Sequence, residues 1–85
     1  MEDIDELVAF LSQRKRSTRF NQLRTILLNL GFQTRQRRRG GSHYVFSHPS
    51  LDMLVVLVSH GKNDMLPEYQ VIKAIRALEQ LKALR

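Results

Sequence analysis

Phe32-Gln33-Thr34-Arg35-Gln36-Arg37-Arg38-Arg39-Gly40-Gly41-Ser42-His43-Tyr44-Val45-Phe46-Ser47 is the stretch where the periodicity of this 85-residue chain changes. Before it, apolar residues recur every three or four positions. Within it, Tyr44 and Phe46 stand two apart, the spacing that puts side chains on one face of a strand. Gly40-Gly41 suits a tight turn that needs positive φ. Residues 32 to 38 and 42 to 47 therefore predict a hairpin. His48-Pro49-Ser50 breaks the second strand, and the apolar run from Leu51 or Met53 to Val58 predicts a third.

Helical patterns flank these strands. Ile4, Leu7, Val8 and Leu11 fall at i, i+3, i+4 and i+7, with acids before them and Arg14, Lys15 and Arg16 after them to suit the helix dipole. Ser17 or Thr18 can cap a second helix in which Phe20, Leu23, Leu27 and Leu30 share a face, stopped by Gly31. After the polar stretch Ser59 to Asp64, Pro67 suits the first turn of a last helix, whose face is Val71, Ile75, Leu78 and Leu81. The order is α, α, β, β, β, α. A three-stranded antiparallel sheet with helices on one face is the economical α+β arrangement, because each connection stays short. Both parities of Met53 to Val58 are apolar, so this strand calls for cover on both faces, from the first helix or from a second chain. A homodimer or a heteromeric complex is thus expected there.

Composition narrows the function. Hydrophobic residues are 42% and charged residues 26%, which excludes wholesale disorder. No apolar run approaches the roughly 18 residues of a membrane span, and the acidic start is unlike a signal peptide; a cytoplasmic protein with no membrane role is expected. With no cysteine there is neither a disulfide nor a thiolate metal site. The net charge of +6 is unevenly placed. Four acids lie in the first six residues, none occurs from Leu7 to Leu51, and that same segment holds nine cations, eight of them arginine. Guanidinium groups fork onto phosphate, so a polyanion is the expected partner.

His43 is the leading candidate for chemistry. It follows Gly40-Gly41-Ser42 and sits beside Arg35, Arg37, Arg38 and Arg39, where phosphate is drawn in. Imidazole titrates near neutral pH and can take the proton from a ribose 2′-hydroxyl, while a cation stabilises the phosphorane. That chemistry needs neither metal nor cofactor. The turn lets the backbone at Gly41 and Ser42 approach RNA closely, and Lys62 offers a further phosphate contact. His48 is a secondary candidate, ranked lower because residues 43 and 48 have opposite parity on a regular strand. A hydrolase pair of Ser42 and His43 is disfavoured, since neighbours on a strand point to opposite faces. His43, His48 and His60 match no metal-ligand spacing. Alternatives to catalysis are a surface histidine on a non-catalytic RNA- or DNA-binding module, or a basic face that docks an acidic protein.

The segment Gly41-Ser42-His43-Tyr44-Val45-Phe46-Ser47-His48-Pro49 follows a helix ending Leu30-Gly31-Phe32. After it come Leu54 to Val58, Ser59-His60-Gly61-Lys62 and a C-terminal helix. Together they resemble the HicA (YcfA-like) toxin family over roughly Thr18 to Leu81. The resemblance implies an α-β-β-β-α fold like that of the double-stranded RNA-binding domain, on an endoribonuclease toxin (an mRNA interferase) that a HicB-type antitoxin silences. It places the family's catalytic histidine on His43. The N-terminal helix is additional to the family pattern, which divides the chain into an extension, 1–16, and the domain proper, 17–85. Ser59 and Gly61 stand where the family has a proline on each side of the histidine. Leu66-Pro67-Glu68-Tyr69 replaces the lysine cluster of a duplex-RNA binder, which disfavours plain duplex binding.

Overall fold

The computed structural model describes residues 3–36, 43–59 and 64–84. Its elements are α1 (Ile4–Ser12), α2 (Phe20–Asn29), β1 (Gln33–Gln36), β2 (His43–Ser47), β3 (Val55–Val58) and α3 (Glu68–Ala83). The strands form an antiparallel sheet in the order β1-β2-β3, so the α+β order expected from the periodicities is the observed one.

Local chemistry explains the boundaries. The Asp3 carboxylate caps α1, accepting from the Asp5 N–H at 2.9 Å. α1 stops at Ser12, before the basic triplet expected to end it, yet Arg14 still serves that terminus by donating to the Phe10 carbonyl at 3.3 Å. Its guanidinium also lies 4.1 Å from the Phe10 ring centroid. The cap expected for α2 was Ser17 or Thr18, but Arg19 occupies the N-cap, and its N–H donates to the Gln22 side chain at 3.0 Å. Thr18 is buried and its hydroxyl donates backwards to the Arg14 carbonyl at 2.6 Å, which takes it out of the capping role. Gly31 follows α2 with φ +96°, a value that favours glycine. Pro67 stands at the N-cap of α3, where its missing N–H costs no helical bond.

Registry sorts the sheet into two faces. Tyr44 pairs with Leu57 and Gln36, and Phe46 with Val55 and Thr34; this is the inner face. Phe46, Val55 and Leu57 are buried with Leu23, Leu27, Val71, Leu78 and Leu81 from the helices. Phe20 packs on Tyr44 with ring centroids 4.7 Å apart. α1 contributes Ile4 and Leu11 to the same core and lies against α3. The start of α2 is tied to the segment before α3 by two backbone bonds, Phe20 N–H to the Asp64 carbonyl and Leu66 N–H to the Thr18 carbonyl, each 2.9 Å. β3 begins at Val55, later than expected, because Asp52 sits in a bend between the turn at residues 49–50 and the strand. No described helix is long and apolar enough to cross a membrane.

The outer face of the sheet is uncovered. Val56 is 40% exposed and Leu54 50%. α1 does not wrap to that side, so the double-sided apolar character of the third strand finds no cover among the described residues.

Candidate active site

Alternation along β2 puts His43, Val45 and Ser47 on the outer face, because Tyr44 and Phe46 point into the core. Cross-strand partners share a face, so Arg35 opposite Val45, Gln33 opposite Ser47, and Val58 opposite His43 join them. Arg35 and His43 are diagonal neighbours on adjacent strands, a relation that sets Cα atoms roughly 7–8 Å apart. Long side chains bridge that distance. Both residues are exposed, and among the described residues no acid pairs with Arg35 and no group occupies the His43 ring. A shallow groove of about 700 Å³ crosses this face, lined by Gln33, Arg35, Val45, Ser47 and Leu54 among others.

The arrangement suits an extended phosphodiester chain: a flat sheet surface with polar and cationic groups on it, and an imidazole at its margin. Tyr44 and Phe46 face inward, so β2 offers no aromatic platform for base stacking on this face. The cations of the α1–α2 connection lie elsewhere, Arg14 over Phe10 and Arg16 beside Glu68 at 3.4 Å.

His48 has a different situation. Its Nδ1 accepts the Ser50 N–H at 3.0 Å, which leaves the proton on Nε2, 3.1 Å from the Leu30 carbonyl, to donate there. The ring is half-buried and meets Phe32 edge-on, with centroids 5.0 Å apart. Both nitrogens are thus spent on backbone groups, and the ring closes the C-terminus of α2, where carbonyls lack helical partners. A β-carbon on Gly31 would lie 3.3 Å from Nε2, so glycine is favoured there by contact as well as by φ. At the strand's ordinary rise, five residues hold His48 roughly 16 Å from His43, too far to share one phosphate.

Of the residues picked out in the sequence, His43, Arg35 and His48 are described; the structure brings the first two together and sets the third apart. Arg37, Arg38, Arg39, Gly41, Ser42 and Lys62 lie outside the described residues. Gln33 and Ser47 were missed. Ser47 could have been found by parity with His43, whereas Gln33 depends on the register across the hairpin, which local patterns do not encode. No three described His, Cys, Asp or Glu side chains gather in one place. Comparison of the chain with protein-family models, with curated proteins and with solved structures returned no match.

Proposed function

We propose that this chain is an endoribonuclease of the toxin type, an mRNA interferase that works in the cytoplasm and cleaves RNA without a metal or cofactor. The observation that carries the reading is the presence of His43 and Arg35 on one open face of the sheet, both exposed and neither engaged by another described group. His43 acts on the ribose 2′-hydroxyl as general base. The 2′-oxygen attacks the adjacent phosphorus as its proton passes to imidazole, and the 5′-oxygen leaves with a proton drawn from solvent water, giving a 2′,3′-cyclic phosphate. Arg35 faces the phosphate and offsets the charge that builds on the phosphorane oxygens. Arg37, Arg38 and Arg39 are assigned to the same cationic track, Lys62 to a further phosphate contact, and the backbone of Gly41 and Ser42 to close approach of RNA. His48 is assigned to structure, since its two nitrogens are occupied. A HicB-type antitoxin with acidic side chains would silence the enzyme by covering His43 and this track.

The test is cleavage of a long unstructured RNA, in EDTA, by wild type and by His43→Ala of matched thermal stability. Cleavage by wild type alone supports the assignment. A second reading, a non-catalytic RNA-binding module, is favoured by one observation: His43 is the sole proton-transfer group among the described residues of the open face. On that reading neither protein cleaves, and both bind RNA equally.

A further inference from the structure

The two edges of the sheet differ in kind. β1, at one edge, carries Arg35 and is followed in sequence by Arg37, Arg38 and Arg39, and charge on an edge strand discourages pairing with other strands. β3, at the other edge, has no charged residue from Met53 to Ser59, no proline and no glycine. It thus lacks the charges and the proline that commonly blunt an edge, and α3 reaches it through Gln70 at Val58.

What remains open on that edge is defined. The Val58 N–H donates to the Gln70 side chain at 3.1 Å, so it points away from β2, and Gln70 is buried, at 2% exposure, in doing this. Gln70 is held in turn by donating from Nε2 to the Tyr69 hydroxyl at 3.2 Å. Strand alternation then turns the N–H and C=O of Val56 and of Leu54 to the same outward side as those of Val58. No described group takes them. Beside them lies an apolar groove of about 240 Å³ lined by Leu54, Val56, Tyr69, Gln70 and Lys73.

We propose that a second copy of this chain pairs with β3 antiparallel, about a two-fold axis at Val55, to make one continuous six-stranded sheet. The register follows from Gln70. With the Val58 N–H already taken, the pairing that uses every outward group of Leu54 and Val56 sets Leu54 opposite the partner's Val56 and Val56 opposite the partner's Leu54. That gives four backbone hydrogen bonds, and it is isologous, as a two-fold contact requires. The same pairing puts Leu54 and Val56 of both copies side by side on the outer face, covering the apolar residues that the single chain leaves wet. The occupant is a second copy rather than an acidic strand because the bonding groups on this edge are self-complementary and the strand itself is uncharged. The two arginine-bearing β1 strands end at opposite margins of the joined sheet, as far apart as the fold permits. Exposed side-chain area is modest, on the order of a few hundred Å² per copy, below the roughly 800 Å² per partner of a standard interface, so the dimer belongs to the weak, concentration-dependent class. Each copy carries +6 and places Lys73 beside the contact, so added salt strengthens association.

Sedimentation equilibrium of the full chain from about 10 μM to about 1 mM, at low and high salt, tests this in the weak-affinity range. Wild type should pass from monomer to dimer, and more readily at high salt. Val56→Lys should weaken the dimer by tenfold or more. Leu54→Lys, which precedes β3 within the single chain and is half exposed, should do the same and guards against a folding defect in the first variant; each is checked by its thermal transition. A monomer at every concentration overturns the proposal, and so does a dimer indifferent to both substitutions. The measurement needs no RNA, so its outcome is separate from that of the cleavage test.

Discussion

Replacing His48 with alanine removes three things at once. The Leu30 carbonyl loses its donor at 3.1 Å, the Ser50 N–H loses its acceptor at 3.0 Å, and Phe32 loses an edge-on ring at 5.0 Å. A hydrogen bond of this kind contributes about 0.5–1.5 kcal/mol net, and an aromatic pair about as much. Ser50 is exposed and water can replace its partner, so the lower figure applies to that bond. The sum is about 2 kcal/mol. For a chain of this size that lowers the melting temperature by about 8–16 °C, since 1 kcal/mol shifts it by 4–8 °C. His48→Phe keeps the ring contact and loses both hydrogen bonds, so it should fall between the two. Thermal unfolding followed by circular dichroism measures the loss, and cleavage per folded molecule, assayed well below the transition, should stay within about twofold of wild type because the ring takes no part in proton transfer. Loss of cleavage by a hundredfold or more, with the fold intact, would refute the structural assignment and restore His48 as an acid–base group.

Further substitutions probe other parts of the molecule. Gly31→Ala introduces a β-carbon 3.3 Å from His48 Nε2 on a backbone at φ +96°, and should cost about 1–2 kcal/mol in denaturant unfolding. Arg35→Gln removes one phosphate contact; the slope of log affinity for single-stranded RNA against log salt should become shallower by about 0.7, with the melting temperature unchanged. Gln70→Leu leaves the Val58 N–H without its acceptor and should cost about 1–3 kcal/mol, with faster amide exchange at Val58 as the local signature. Asp5→Asn breaks an exposed ion pair with Lys82 and should change stability by less than about 1 kcal/mol.

Much of this architecture is legible in the chain because it rests on local period and local stereochemistry. The two-residue spacing of Tyr44 and Phe46 gave the inner face of β2, Gly31 marked the end of α2, and Pro67 the start of α3. What escaped depends on contacts far apart in sequence. Thr18 has the chemistry of a cap, yet packing pulled it into the core and left the N-cap to Arg19. His48 reaches back 18 residues to Leu30, and Gln70 reaches 12 to Val58, and neither pairing has a periodic signature. His43 and His48 look alike in the string His43-Tyr44-Val45-Phe46-Ser47-His48. Their parity separated them, but only the position of α2 explains why one ring is sealed against a carbonyl and the other left open.

The sheet divides its surfaces by chemistry, and that division makes the two proposals compatible. One face is spent on the core through Phe46, Val55 and Leu57, so any partner must use the other face or an edge. RNA is drawn to the β1 side by arginine, and a second copy to the β3 side by bare backbone and aliphatic carbon. Strands lie about 4.8 Å apart, which puts the β1 and β3 edges on the order of 10 Å from each other. Pairing at β3 therefore leaves His43 and Arg35 open while doubling the number of cationic tracks on one continuous face. The two interactions respond oppositely to salt, since counterion release drives RNA binding at low ionic strength and charge repulsion between copies is screened at high ionic strength. When both copies engage one RNA, the strand tethers them together, so RNA binding and pairing reinforce each other. Affinity for a long RNA should then rise with protein concentration more steeply than affinity for a fragment too short to reach both tracks. Val56→Lys should abolish that difference.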